Sequence, residues 1–311
     1  MPSAEEIRTQ TSAELAARHR LAVPAFAGGL LYLLSTIIIS SALNGAPTVG
    51  LLQGLRPAFS GVTNPATSPR AEEVKYISHH ALPLIAGSLL AAIAIGALTL
   101  ILLLLYDATR FRRPELWALA RPLILYGGGA LAIVSLAHQV VSSIETHNFA
   151  VGHDLSSHAV DQALTKGAAN MAIEYIDLLA GLALAAGMIT MVMNAQRVGL
   201  VPRWMGILGI ISGLLIFLPI GGAQLQILPA FWMVMMGILL MGRWPGGDPP
   251  AWAAGAPRPW PSGAEQRAAR RGGGATAATA TANAGATPEP ARPPLGRAAG
   301  KRRRKGRGGR G

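Results

Sequence analysis

Two stretches of this chain carry polar side chains at helical spacing within otherwise apolar sequence. In the first stretch the polar residues are three, four and three positions apart, at Ser135, His138, Ser142 and Glu145. In the second stretch the polar residues Asn170, Glu174 and Asp177 and the small residue Gly181 are four, three and four positions apart. Because residues three and four apart share one face of an α-helix, each stretch predicts a helix with a polar stripe. Two such helices side by side in a membrane would enclose a polar pocket.

The residues of this pocket suit the binding of a proton or a small cation. A charged side chain at the centre of a membrane helix costs about 2.5–3.5 kcal/mol, so Glu174 and Asp177 need polar partners there. His138 lies at a comparable predicted depth, and an imidazole titrates near neutral pH. The predicted pocket is completed by three more polar residues, Glu145, Asn170 and Ser142. The alternative interpretation is that these side chains only hydrogen-bond across the helix interface and fix its packing.

Histidines indicate a second kind of site, a metal centre. Six of the seven histidines fall on the predicted outer side of the membrane, close in topology to several carboxylates. Imidazole and carboxylate ligands suit zinc, iron or nickel. The candidate ligands are His79, His80, His138, Glu145 and Glu174. A metal-dependent hydrolase or oxidoreductase at the outer leaflet is therefore an alternative function.

The spacing of the histidines argues against that metal centre. No pair has the His-x-x-x-His spacing of a metal-binding helix, and the adjacent His79 and His80 point to different faces of any helix. The chain also contains no cysteine, which excludes thiolate nucleophiles and cysteine-ligated metal sites. We therefore predict no cofactor and favour a protein that is not an enzyme.

The composition is typical of a membrane protein. Hydrophobic residues make up 51% of the 311 residues and charged residues only 14%, and the mean hydropathy is +0.38. Positive charge is concentrated near the C-terminus, since residues 243–311 hold 14 of the 27 Lys and Arg but only 3 of the 15 Asp and Glu. The net charge of +12 therefore reflects this segment rather than a basic globular surface.

Six apolar stretches predict six spans, which makes the expected fold an all-α, polytopic transmembrane helical bundle. The predicted spans are residues 22–43, 80–106, 122–144, 168–194, 204–218 and 225–241. The last two are short, and we expect a thin helical hairpin with a turn at residues 219–222. Residues 1–21 are predicted to be an amphipathic or frayed cytoplasmic lead-in. We expect a short helix around residues 71–76 and a polar loop over residues 145–167.

The distribution of Lys and Arg predicts that both termini are cytoplasmic. With the N-terminus inside, the inner segments before residue 243 hold nine Lys and Arg, whereas the outer loops hold four. The expected location is the cytoplasmic (inner) membrane of a bacterium.

The segment from residue 243 to residue 311 is predicted to be a disordered, basic cytoplasmic tail, because it is rich in Pro, Gly and Ala. It ends in the cluster Lys301, Arg302, Arg303, Arg304 and Lys305. Anionic lipid of the cytoplasmic leaflet is the predicted partner, at about 1 kcal/mol for each basic residue near the surface. An incidental solvated tail is the alternative. Nucleic acid is disfavoured, because no aromatic residue is interleaved with the cluster to stack on bases.

The C-terminal half carries a motif with a family resemblance. Residues 200–209 read LVPRWMGILG, a Gly-rich span follows, and the pattern closes with Phe231-Trp232 and Gly242-Arg243-Trp244. This pattern resembles the C-terminal signature of uncharacterised multi-pass bacterial membrane proteins that are grouped as domains of unknown function. The resemblance covers the last three spans and implies an inner-membrane helical bundle, with no catalytic residue assigned.

The expected function is therefore a non-enzymatic membrane protein whose polar pocket binds or passes a small solute, a proton or a cation. A structural or interaction protein with a lipid-binding or partner-binding tail is a further alternative. Gly209 and Gly213, four positions apart on the fifth span, would suit close packing within one subunit or a homo-oligomer.

Overall fold

The computed structural model describes residues 3–50, 59, 61, 67–152, 154–166, 168–218, 225–245 and 247–260. Within these residues the regular secondary structure is helical and no strand is present. The predicted all-α class is thereby confirmed. The predicted turn at residues 219–222 and the chain beyond residue 260 lie outside the described residues.

Among the described residues, four helices are long and apolar enough to cross a membrane. They are α1 (Ala4–Leu43), α3 (Ala81–Arg112), α4 (Ala120–Val151) and α6 (Ala168–Val198). Each has at least 31 residues, which corresponds to about 45 Å or more at 1.5 Å per residue. That length exceeds the hydrocarbon thickness of about 30 Å.

The remaining helices are shorter. Two are apolar, α7 (Arg203–Phe217) and α8 (Ile227–Leu240), with 15 and 14 residues. At about 22 Å each, they are shorter than a hydrocarbon core. The part of the chain that the structure describes also contains α2 (Ala71–His79), α5 (Ser157–Asp161), which continues into a π-helical turn (Gln162–Lys166), and α9 (Pro250–Ala254).

Six of the helices form a closed circuit of neighbours. In the order α1, α3, α4, α6, α7 and α8, each packs against the next, and α8 packs against α1 again. The most deeply buried large side chains include Ile101 and Leu105 of α3, Met188 of α6 and Trp232 of α8. Close van der Waals packing of such side chains holds the circuit together.

The bundle has two ends with different chemistry. One end contains the C-termini of α3, α6 and α8, and is called the basic end because Arg18 and Arg112 are buried there. The opposite end contains the C-termini of α1 and α4, and is called the loop end. A small apolar cluster at the loop end joins α2, α4 and α5 through Ala71, Phe149 and Val160.

The N-terminal lead-in forms one helix with the first span. Ser3 and Glu6 form a capping box, in which the Ser3 backbone N–H donates to Glu6 Oε2 and the Glu6 N–H donates to Ser3 Oγ. Such a box satisfies backbone donors that a helix start leaves unpaired. Helix α1 then continues through Pro24 to Leu43. The predicted boundary at residue 21 is therefore not a break in the structure.

Helix α4 extends further than its sequence pattern predicted. It ends at Val151 rather than at residue 144, so Glu145 belongs to the helix and not to the polar loop. The physical reason is burial, because Thr146 and Phe149 are 0% and 7% exposed. Packing of Phe149 against α2 and α5 therefore prolongs the helix beyond the apolar stretch.

Residues 247–260, here called the strap, contradict the prediction of disorder from residue 243. The strap contains helix α9, and Trp252 within it is only 4% exposed. The Trp252 Nε1–H donates to the Leu200 carbonyl at 3.1 Å, and the Arg258 N–H donates to the Val198 carbonyl at 3.0 Å. One buried tryptophan and these backbone contacts are sufficient to order a segment whose composition predicted a tail.

Candidate functional site

Helices α4 and α6 approach each other closely at glycines several turns away from the polar stripes. A Cβ placed on Gly127 would lie 2.7 Å from the Leu184 backbone nitrogen, and one on Gly187 would lie 2.7 Å from Ile124 Cγ1. A Cβ on Gly181 would be 3.9 Å from Leu131 Cδ1. These antiparallel pairs bring the second half of α4 opposite the first half of α6.

The closest polar contact across this interface joins Glu145 and Asn170. The Asn170 Nδ2–H donates to Glu145 Oε2. Asn170 is only 2% exposed, and its Oδ1 atom is buried with no hydrogen-bond partner among the described residues. The amide therefore links the two helices and still has one free acceptor.

Asp177 and His138 form the second part of the polar interface. Both side chains are half-buried, and the Asp177 Oδ1 atom has no hydrogen-bond partner in the described part of the chain. The contact between Glu145 and Asn170 sets an antiparallel register in which His138 and Asp177 occupy corresponding positions, seven residues from that contact on each helix. The α4–α6 site, defined as Glu145, Asn170, Asp177 and His138, thus combines two carboxyl groups, an amide and an imidazole.

Glu174 does not join this site. Its side chain is exposed, as are the neighbouring Tyr175 and Leu178. Within the described residues it makes no hydrogen bond or ion pair. Because successive helical residues are about 100° apart, Glu174 lies about 60° around α6 from Asp177. The polar stripe of α6 therefore covers a wide arc of the helix, and Glu174, at the edge of that arc, faces away from α4.

Ser142 lies on α4 between His138 and Glu145 and is half-buried. Its backbone carbonyl accepts a hydrogen bond from Thr146 Oγ1 at 2.8 Å. The Ser142 hydroxyl makes no hydrogen bond to another side chain within the described residues. Ser142 therefore lies beside the α4–α6 site without a polar side-chain contact to its residues.

A cleft of about 390 Å³ adjoins Glu145 at the loop end. It is lined by Glu145, Asn148, Phe149, Gly152, Asp154, Ala159, Gln162 and Ala163. The Ser156 backbone N–H donates to Asp154 Oδ1 at 2.9 Å, which holds the pKa of the Asp154 carboxyl below its usual range. Asp154 is therefore ionised at neutral pH and adds negative charge at the cleft. Of this lining, the sequence pattern identifies only Glu145 for the pocket, because the other lining residues do not belong to a polar stripe at helical spacing.

The metal-ligand candidates are not brought together as a set. The structure contains no group of three or more His, Asp or Glu residues with the geometry of a metal site among the described residues. His79 is exposed. The His80 Nδ1 atom lies 2.9 Å from the Tyr76 carbonyl, and its ring stacks on Tyr76 at 4.1 Å. Of the predicted ligand set of His79, His80, His138, Glu145 and Glu174, two members, His138 and Glu145, share the α4–α6 site, whereas His79 and Glu174 are exposed and His80 stacks on Tyr76.

Sequence patterns also missed a buried ionic cluster at the basic end. Arg112 donates from Nη2 to Glu14 Oε2 at 2.8 Å and from Nη1 to Glu14 Oε1 at 2.9 Å. Both side chains are almost fully buried, at 0% and 4% exposure. Arg112 also donates from Nε and Nη2 to the Ala251 carbonyl of the strap. This ion pair therefore joins α1, α3 and the strap.

A second arginine completes this cluster. Arg18 donates from Nη2 to the Leu239 carbonyl and to Asp248 Oδ1, each at 3.1 Å. Its guanidinium carbon lies 4.9 Å from the centre of the Trp252 ring, a cation–π arrangement. Glu14 and Arg18 are four positions apart in the lead-in, which would have indicated a shared face but not the partners that cover it.

The basic residues predicted to bind anionic lipid, Lys301, Arg302, Arg303, Arg304 and Lys305, lie outside the described residues. Their role remains a prediction.

Neither a protein-family model, nor a curated protein, nor a solved structure matches this chain.

Proposed function

We propose that this chain is a multi-pass protein of a bacterial cytoplasmic membrane. The four long apolar helices support this setting, and the short pair α7 and α8 would complete six membrane segments as a hairpin within the bundle. The excess of Lys and Arg on the inner segments supports an orientation with the basic end toward the cytoplasm. The N-terminus and the strap then lie on the cytoplasmic side.

The α4–α6 site binds a small cation, a protonated solute or a proton, without converting it chemically. The observation that carries this proposal is the pair of buried oxygen atoms, Asn170 Oδ1 and Asp177 Oδ1, that have no hydrogen-bond partner among the described residues. A buried acceptor without a donor costs about 1–3 kcal/mol. Both unused atoms are acceptors, so the complementary ligand is a donor or a cation.

The surroundings of the site favour the same ligand. Glu145 and Asp177 supply two carboxyl groups, and His138 adds an imidazole. Glu145 also lines the cleft at the loop end, where Asp154 adds a negative charge. A positively charged solute would therefore reach the Glu145–Asn170 pair from the loop end, the predicted outer side.

Flux measurements on reconstituted protein test this function. Vesicles containing the full chain and a pH-sensitive dye would be exposed to a proton gradient and to gradients of small cations in turn. We expect a flux with wild type that falls at least tenfold in Asp177→Asn, since loss of one charge-assisted contact of about 1.4 kcal/mol has that effect.

Asp107→Asn is the matched control, because it removes the same charge from an exposed side chain at the basic end. We expect it to leave the flux unchanged. Equal flux of wild type and Asp177→Asn for each ion tested would eliminate the proposed transport. Isothermal titration calorimetry of wild type and Asp177→Asn with the same cations then shows whether the α4–α6 site binds a cation without transporting it.

A further inference from the structure

We propose that the basic end holds a second site, which binds a zwitterionic phospholipid head group of the phosphoethanolamine type. The site is a cleft of about 320 Å³ between α1 and the strap. Its lining includes Thr11, Ser12, Leu15, Arg18, Asp248 and Trp252. This inference rests on the proposed membrane setting, but it does not depend on the α4–α6 site.

Arg18 provides a cationic donor with unused capacity. Its Nη2 atom is occupied by the Leu239 carbonyl and Asp248 Oδ1. The side chain is only 4% exposed. Its Nε atom is buried and has no hydrogen-bond partner among the described residues. A guanidinium presents its N–H groups in a planar fork that suits phosphate oxygens. Arg18 can therefore bind a phosphate oxygen and keep its present bonds.

The neighbouring arginine is not available to a ligand. Arg112 donates to both carboxylate oxygens of Glu14 and to the carbonyls of Ala108 and Ala251. Its charge is neutralised by the paired Glu14. Among the lining residues named above, Arg18 is the cationic one, and its ion-pair partner Asp248 is itself part of the lining.

Asp248 provides the complementary acceptor. Its side chain is 48% exposed, and Oδ1 contacts Arg18 while Oδ2 accepts no hydrogen bond from another described residue. A carboxylate at this position repels a purely anionic ligand. The Asp248 carboxylate can accept hydrogen bonds from the N–H groups of a primary ammonium. A quaternary ammonium has no N–H group to donate. The cleft therefore matches a ligand with one phosphate and one primary ammonium.

The position of the cleft favours a lipid over a soluble phosphate compound. At the same end of the bundle Trp204 and Trp244 stack with ring centres 5.6 Å apart, and Trp204 is 44% exposed. Tryptophan is enriched at the head-group level of membranes. Along α1, exposed apolar side chains continue from Leu15 toward the loop end at Val23, Leu30 and Leu34. Their spacing of seven and four residues gives one apolar face on which an acyl chain can lie.

Native mass spectrometry of the full chain in detergent tests this inference. The protein would be titrated separately with phosphatidylethanolamine, phosphatidylcholine and phosphatidylglycerol of the same acyl chains. We expect phosphatidylethanolamine to bind about tenfold more tightly than the other two, a factor equivalent to one charge-assisted hydrogen bond.

Asp248→Asn is the decisive variant, because the residue is half-exposed and its loss does not empty the core. Without the carboxylate, phosphatidylglycerol should bind at least as tightly as phosphatidylethanolamine. Glu115→Gln is the matched control, since Glu115 is an exposed acid at the same end and outside the cleft. It should keep the wild-type order of affinities.

An unchanged order of lipid affinities in Asp248→Asn would overturn the proposal. So would competition by soluble phosphoethanolamine at the same concentration as the lipid, because the acyl chains would then contribute nothing. Asp177→Asn is expected to retain the lipid preference. Loss of the flux with retention of the preference would therefore separate the two sites.

Discussion

At the scale of single residues, the pair Glu14–Arg112 is held in an environment with almost no access to water. Burying two charges is expensive, and the cost is offset only while both partners and their hydrogen bonds are in place. Arg112 meets this condition with donors to Glu14, Ala108 and Ala251. The pair therefore joins α1, α3 and the strap. Because each charge needs the other, we expect substitution of either residue to be poorly tolerated.

Removing one partner of this pair should destabilise the bundle strongly. We expect Glu14→Gln to lower the free energy of unfolding by about 3–5 kcal/mol, because it leaves the Arg112 charge buried and unneutralised. The control is Glu72→Gln, which breaks the exposed Glu72–Lys75 pair and should cost less than about 1 kcal/mol. Denaturant titration in detergent measures both. Similar values for the two variants would contradict the importance of burial.

The two carboxyl groups of α6, Glu174 and Asp177, have different environments in the structure, which the sequence pattern did not predict. The polar stripe gave Glu174 and Asp177 equal roles, whereas the structure half-buries Asp177 and leaves Glu174 exposed. We expect Asp177→Asn to weaken cation binding about tenfold. Glu174→Gln should change the dissociation constant by less than about twofold, which corresponds to about 0.4 kcal/mol of binding free energy. Titration calorimetry compares the variants. A larger loss in Glu174→Gln would restore the arrangement that the stripe suggested.

At the scale of elements, the approach of α4 to α6 depends on small residues. Gly127 meets the Leu184 backbone, whereas a Cβ on Gly129 of the same helix would have nothing within 4 Å. Close backbone approach sets the register of the two helices, and the register places Glu145 opposite Asn170. The polar site therefore depends on glycines about three to five turns away from it.

Alanine substitutions at these two glycines should have opposite effects. Gly127→Ala introduces a methyl group against backbone atoms and should cost about 1–3 kcal/mol of stability. Gly129→Ala faces open space and should stabilise the helix by about 0.5–1 kcal/mol. Thermal unfolding in detergent compares the two variants with wild type. Equal effects would show that helix propensity, and not the contact with α6, dominates.

At the scale of the whole molecule, the strap closes the basic end of the bundle. Trp252 packs against Arg18 and Arg112, whose guanidinium carbons lie 4.9 and 5.7 Å from its ring centre. Residues 3–260 are therefore expected to behave as the folding unit.

Truncations define this unit directly. A chain that ends at Trp260 should keep the thermal stability of the full chain, because Trp252 and its hydrogen bond to Leu200 are retained. A chain that ends at Gly242 should lose about 3–5 kcal/mol, the range for removing a buried tryptophan side chain. Circular dichroism during heating measures both. Equal stability of the two truncations would show that the strap is not part of the core.

Orientation in the membrane can be tested because the chain contains no cysteine. Single cysteines at Glu72, near the loop end, and at Glu115, at the basic end, place one thiol on each side of the bundle. In intact cells a membrane-impermeant maleimide should label Glu72→Cys, and it should label Glu115→Cys only after the membrane is opened. The reverse pattern would invert the proposed topology.

The sequence alone determined the helical class and the positions of the apolar helices. Spacing of three and four residues specified the polar faces of α4 and α6, and the apolar stretches gave most helix bounds within a few residues. This was possible because helix periodicity and the cost of polar groups in an apolar setting depend on neighbours along the chain.

Only the tertiary structure decided which polar residues meet. The choice of Asp177 over Glu174, the link between Glu145 and Asn170, and the burial of Glu14, Arg112 and Trp252 come from contacts between distant segments. Those contacts depend on helix rotation, on close approach at glycine and on a strap whose composition resembles a tail. None of these is encoded in local periodicity, because a face of a helix does not specify which neighbour will cover it.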